Sequence, residues 1–324
     1  MSFKRFDAED IAISADSITA PVWSTGAPTL TTFEKSSVQY AAKNQYHVNV
    51  FQTTYTDADA EVQFDISYAD KAGSGTTLYN PSVAGKSPSS TIYGQYRSLV
   101  LGDEESDFVF NSGTISENFY VISINRSRFK EKLLPGTFNL TLGTTAGSIT
   151  LTDNSKDVTV VSFKDSGRVY NVVQGTNGSG GSDSYGWFLP DIGTILLDAA
   201  KLDAAAVDGG ISLGTVRGTN ANSQNSDRLL SALTSFKLNS EETVTSNYVF
   251  VRVRNGEFNY SVNPSNITGS GDLRHDYMID APQAYVTSVG LYNDNNDLLA
   301  VAKLSKPLVK DFTKEALLRI KLDF

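Results

Sequence analysis

The segment Leu318-Arg-Ile-Lys-Leu-Asp-Phe324 alternates apolar and charged residues without a break. A period of two puts every second side chain on one side of an extended chain, so one face is buried and the other wet. Leu318, Ile320, Leu322 and Phe324 are expected on the buried face. Just before it, Tyr285 to Tyr292 is rich in β-branched and aromatic residues, and Leu298 to Leu304 reads as its return strand. Asn293-Asp-Asn-Asn-Asp297 is the turn between them, because Asn and Asp tolerate left-handed backbone and bond their own main chain. Pro307 is expected to end the return strand, since proline cannot donate to a ladder. This C-terminal module is taken as the anchor of the fold, with Gly290, Leu299, Val301, Leu322 and Phe324 as its structural residues.

The same alternation recurs upstream. Val62, Phe64, Ile66 and Tyr68 fall on one face of Glu61 to Tyr68, and His47 to Gln52 also alternates. Leu99-Val-Leu-Gly, Phe119 to Ile124, Phe138 to Leu142, Ser148 to Leu151, Val158 to Phe163 and Thr194 to Leu197 read as further short strands. Val249, Val251 and Val253 line one side of Tyr248 to Arg254. Asn255-Gly256 is expected to turn that strand back into Phe258 to Val262. Frequent short strands with polar turns point to a sandwich or barrel.

Helical signals are fewer. Arg128 to Leu134 has room for about two turns. Asp198 is placed to cap a helix through Ala206. The strongest is capped by Ser226 or Asp227, with Leu229, Leu230, Leu233 and Phe236 on one face, and is expected to run to about Leu238 by its helical repeat.

The fold class is therefore mainly β with some α, a β-sandwich-like N-terminal part and an α+β C-terminal part. Residues 1–45 lack a periodic pattern and read as an extended arm, running over the surface or crossing to a neighbouring subunit. Residues 46–165 form the β-rich domain. Residues 166–324 form the α+β domain ending in the C-terminal hairpin and strand. Ala69 to Ser90 reads as a long loop, and the Gly/Ser-rich run Gln174 to Ser184 as a flexible one.

Chemistry finds little purchase. The chain has no cysteine and two histidines, which leaves no disulfide or thiolate zinc site. His275, in Gly271-Asp-Leu-Arg-His-Asp276, is the one candidate base for a Ser-His-Asp triad, and no nucleophile-elbow motif accompanies it. Asp103, Glu104, Glu105 and Asp107, or Asp294 and Asp297, are carboxylate clusters without the spacing of a calcium loop. Asp191 beside Tyr185 and Trp187 has the composition of a glycosidase acid in an aromatic cleft; a hydrophobic patch is the plainer reading. Gly178-Ser-Gly-Gly has no P-loop lysine. Arg126-Ser-Arg-Phe-Lys-Glu-Lys132 is basic and reads as a solvated or subunit-facing ionic face. The net charge of −9 disfavours nucleic acid and anionic membrane as partners, and no apolar run approaches a membrane span. Four Asn-x-Ser/Thr triplets, at Asn125, Asn139, Asn177 and Asn266, are read as coincidental. No catalytic, metal or cofactor residue is assigned.

The run Val286-Thr-Ser-Val-Gly-Leu-Tyr-Asn-Asp followed by Asp297-Leu-Leu-Ala-Val-Ala-Lys303 resembles a hairpin of bacteriophage tail and baseplate structural proteins. Phe3-Lys-Arg-Phe-Asp7, Ser17-Ile-Thr-Ala-Pro-Val-Trp23 and Asn259-Tyr-Ser-Val-Asn-Pro264 extend the likeness over most of the chain. The family it resembles is that of virion structural proteins of T-even-like contractile-tailed phages of the marine and cyanobacterial kind. The resemblance implies a non-enzymatic virion component, assembled in the host cytoplasm and acting through homo- and hetero-oligomeric contacts with other virion proteins. Baseplate or tail is the expected station, with neck, collar or capsid as alternatives and a carbohydrate-binding or -cutting protein as the rival class. Trp23, Tyr93, Tyr96, Trp187 and Phe188 are the aromatics expected to face partners.

Overall fold

The computed structural model describes residues 4–35, 47–75, 82, 87–111, 113–218 and 224–323. Strands make up 46% and helices 14%, so the chain is mainly β. It divides into two compact units, one of residues 1–17 with 243–324 and one of residues 18–242. That division differs from the one expected from composition. No boundary falls between residues 145 and 175, because Gly147–Asp153 and Gly167–Thr176 are neighbours in one sheet.

The larger unit is built on a twelve-stranded sheet. Among the described residues its pairings are antiparallel, and most link strands close in sequence. Asn118–Ile124 and Thr194–Asp198 sit next to each other at its middle and are buried on both faces, which explains their unbroken apolar runs. Tyr120, Ile122, Ile195 and Leu197 point into the larger core, and Phe119, Val121 and Leu196 into a second one on the opposite face. Phe64, Ile66 and Tyr68 share one face, as the alternation requires.

The second core is covered by the helix Pro88–Tyr96, whose Ile92 and Tyr93 pack into it. The π-helical turn Arg97–Leu101 follows and Gly102 ends it at φ 75°. The strand expected at Leu99 to Gly102 is therefore absent, although Val100 is buried. Part of the expected loop Ala69 to Ser90 lies outside the described residues.

Three further expectations are corrected here. Arg126–Arg128 is a single 3-10 turn, and Lys132–Leu133 then pairs with Ser240–Glu241 in place of a helix. Phe129 is extended (φ −141°, ψ 149°) and stops helix growth. The helix Gln224–Ala232 is shorter than its apolar pattern, because Leu233–Lys237 becomes a strand beside Asn139–Thr144. Leu229, Leu230, Leu233 and Phe236 are all buried nonetheless. The Gly/Ser run is not a flexible loop but the tip of a hairpin, with Gly175 opposite Gly180 and Thr176 opposite Ser179. Asn177 and Gly178 turn it at φ 54° and 89°, the positive-φ pair that a two-residue hairpin needs. The Asp198 cap behaves as expected: its Oδ1 accepts from the Ala200 N–H at 3.0 Å, opening the helix Ala199–Asp203.

The smaller unit holds two β layers. In one, the long strand Asn239–Val253 lies between Ile11–Pro21 and Ala316–Asp323. The other is the hairpin Ala284–Tyr292 with Leu298–Lys310. Val249, Leu291 and Ile320 form the core between them, with Val251, Val289, Ala300, Ala302 and Leu322 packed around it. The C-terminal strand pairs with Asn239–Val253, not with the hairpin, so the three strands of the expected anchor belong to two layers. Ile320 is buried, Leu318 and Leu322 are half-buried on the same face, and Phe324 lies outside the described residues. Pro307 does not end its strand. It sits in an irregular stretch between the pairs Ser288–Lys303 and Val286–Leu308, where a missing N–H costs no ladder bond. Phe258 to Val262 adds no strand; Phe258 is left-handed at φ 55°, which breaks the extension.

Candidate functional site

The aromatics expected at the surface are the centre of the larger unit. Trp23 is 2% exposed and packs edge-on to Phe64 and against Phe236, at ring distances of 6.0 and 4.8 Å. Phe188 stacks on Phe138 at 5.3 Å. Tyr93 and Trp187 flank Phe108 in the second core, with Tyr96 half-buried against it. For the strand residues Trp187 and Phe188 the sequence does not say whether the second face is covered, and here both faces are. Trp23, Tyr93, Trp187 and Phe188 are corrected from partner-facing to internal, and Tyr96 is half-buried.

The carboxylate candidates are also accounted for within the chain. Arg168 grips Asp191 with its guanidinium at 2.6 and 3.1 Å and donates its backbone N–H at 2.7 Å. Burial pulls the Asp191 carboxyl upward, but these donors together hold it below the usual range. A glycosidase acid needs the opposite shift, so Asp191 is a structural anion. Asp103 receives Ser106 Oγ and the N–H groups of Ser106 and Glu105, which close its own turn. Asn293 Oδ1 accepts from Asn295 and Asp297 in the hairpin turn, with Asn296 at φ 66°. Asp294 and Asp297 share that turn. No cluster of three or more potential metal ligands occurs among the described residues.

The basic segment is neutralised locally. Arg126 lies 4.6 Å over the Phe129 ring. Arg128 pairs with Glu61, Lys130 with Glu242, and Lys132 with Glu131 and Glu241. His275 is exposed and stands 5.7 Å from the Tyr277 ring. A shallow depression of about 420 Å³ lies between Gly143, Leu213, Asp227 and Arg228. Its charges are engaged too: Lys35 pairs with Asp227, and Arg228 donates to the Gly214 carbonyl.

What the chain presents outward is the second face of the C-terminal hairpin. Val289, Leu291, Ala300 and Ala302 point into the small core. Gly290, Tyr292 and Val301 alternate with them and face away, and a register shift between Leu291 and Tyr292 leaves Leu298 and Leu299 outside as well. Tyr285 is 64% exposed, Leu299 68% and Val301 61%, with Tyr292 and Leu298 also open. Gly290 is paired with Val301 at the centre of this face. A Cβ there would lie 2.8 Å from the Tyr292 ring and 3.3 Å from Leu298 Cδ1, so Tyr292 and Leu298 close over the bare glycine backbone. Leu299 and Val301 were expected as buried anchors; they are instead apolar residues on a wet face. The signal was present in the sequence, as apolar residues at both parities of Leu298-Leu-Ala-Val-Ala302. A strand that covers only one face needs one parity alone. Comparison with protein families, curated proteins and solved structures finds no match to this chain.

Proposed function

We propose that the chain is a non-enzymatic structural component of a contractile-tailed phage particle, in the tail or baseplate, acting through contacts with other virion proteins. The observation that carries this reading is the exposed apolar group Tyr292, Leu298, Leu299 and Val301 around Gly290. Exposed apolar side chains grouped around Gly290 are costly in water and mark a place where another surface docks. Tyr292 in this group is a side chain of the kind that interfaces favour. The same residues, Val286 to Lys303, carry the likeness to phage tail hairpins. The rival glycan-cutting reading loses its acid, because Asp191 is tied to Arg168.

The test replaces Leu299 or Val301 by Asp in the particle's own copy. Both side chains are exposed, so the free protein should melt within a few degrees of wild type, as surface substitutions usually do. Incorporation into particles should fail. Normal incorporation of both variants would overturn the reading.

A further inference from the structure

The chain has two Asn-Gly steps, Asn177-Gly178 and Asn255-Gly256. Such a step is open to attack by its own backbone amide on the asparagine side chain, because glycine has no Cβ to crowd the approach. The fold treats the two differently. Asn177 Oδ1 accepts from Asn139 Nδ2 at 2.8 Å and from Lys237 Nζ at 3.2 Å. The Gly178 N–H is buried and donates to Thr152 Oγ1 at 2.8 Å. Side chain and nucleophile are each held by other groups.

Asn255 and Gly256 are both exposed. They are the middle of a turn that the Glu257 N–H closes on the Arg254 carbonyl at 3.1 Å. Asn255 Oδ1 takes the Gly256 N–H itself, at 2.9 Å. The side chain is therefore already folded over the amide that would attack it, with Cγ one bond beyond that oxygen. The Asn255 carbonyl accepts from Lys310 Nζ at 2.9 Å and from Asn259 Nδ2 at 2.7 Å. An ammonium bonded to a peptide oxygen draws electrons out of that peptide group. The Gly256 N–H becomes more acidic, and the Asn255 carbonyl carbon more open to water.

We propose that Asn255 is a site of spontaneous deamidation, with isoaspartate as the main product. The Gly256 N–H gives its proton to solvent base, and its nitrogen bonds to Asn255 Cγ. The Cγ–Nδ2 bond breaks and Nδ2 leaves as ammonia, with its added proton from water. The result is a succinimide ring. Water then adds to the polarised α-carbonyl and breaks its bond to the Gly256 nitrogen. The main chain now runs through Cβ and Cγ, one carbon longer. The freed α-carboxylate stays beside Lys310, whose ammonium otherwise meets the neutral oxygens of Asn255, Asn259 and Asp311. The reaction needs only water and this turn, whatever the chain assembles with.

The purified full chain is held in mildly alkaline buffer below its melting temperature, with and without denaturant. It is then digested, and the two Asn-Gly peptides are resolved by chromatography and mass spectrometry. In buffer the Asn255 peptide should convert at least about tenfold faster than the Asn177 peptide, because the Gly178 N–H must first leave a buried acceptor. In denaturant the two should convert at similar rates. Isoaspartate should exceed aspartate at Asn255. Gly256→Ala should lose most of the conversion and keep the wild-type melting temperature. Its added Cβ would meet nothing within 4 Å and Gly256 is not left-handed, so the methyl crowds only the attack. An unconverted Asn255, equal rates in buffer, or a gap that persists in denaturant overturns the proposal. So does aspartate as the main product, or Gly256→Ala converting as fast as wild type.

Discussion

Lys310 Nζ donates to Asn259 Oδ1 at 2.7 Å, with Lys310 fully buried and Asn259 nearly so. The same ammonium donates to the carbonyls of Asn255 and Asp311 at 2.9 Å each. All three of its protons are thereby used, which lets a cation sit inside the unit. It pins the Asn255 to Asn259 turn to the end of the hairpin strand.

Lys310→Met is expected to strand those acceptors and to destabilise the smaller unit by about 3–5 kcal/mol. Denaturant unfolding measures the loss. Amide exchange should place it at residues 255–259 and 310–311; an unchanged midpoint would mean the ammonium is not needed there.

Gly178 stands at φ 89° and donates its N–H to Thr152 Oγ1 at 2.8 Å. A Cβ would come within 2.7 Å of Gly136 Cα, a backbone atom that has no flexible end to move. Gly178→Ala should cost about 2–3 kcal/mol from left-handed strain and overpacking. A stability equal to wild type would show that the hairpin tip relaxes freely.

Trp23→Ala should cost about 3–5 kcal/mol, the usual range for truncating a large buried aromatic. The residue wedges between Phe64 and Phe236, so a cavity rather than a collapsed site is expected. Near-wild-type unfolding would restore Trp23 to the surface.

Two aspartates should move stability with pH in opposite senses. Burial pushes the Asp153 carboxyl up, although Ser155 and the Gly136 N–H oppose the shift. Its favourable contribution is complete below the ordinary value of 3.8 and is lost as pH rises through the higher folded value. Asp191 is the reverse, since Arg168 outweighs burial. Its contribution is complete above 3.8 and is lost as pH falls through the lower folded value. Against wild type, Asp153→Asn should gain relative stability as pH climbs from about 4 toward neutrality. Asp191→Asn should lose least at the acid end, and by less than about 1 kcal/mol elsewhere once solvent screening is counted. Parallel melting curves across pH for all three proteins would contradict both assignments.

Much of the β architecture was legible locally. The alternation of Val62 to Tyr68 and of Leu318 to Leu322 gave the correct faces, because a period of two follows from extended backbone alone. The Asn293 to Asp297 turn and the Asp198 cap were also readable, since each side chain bonds its own neighbourhood. Neither the helix length nor the strand partners followed from such signals. Leu233 and Phe236 fit a helical face, yet pairing with Asn139–Thr144 draws them into a sheet.

The sequence by itself determined which stretches are extended, which residues are apolar on which parity, and where Asn, Asp and Gly allow the chain to turn. These are properties of a few bonded neighbours. Only the tertiary structure decided that Trp23, Tyr93, Trp187 and Phe188 are interior and that Leu299 and Val301 are exposed. Burial depends on whether a second layer covers a strand's other face, and that layer is contributed by residues far away in the chain.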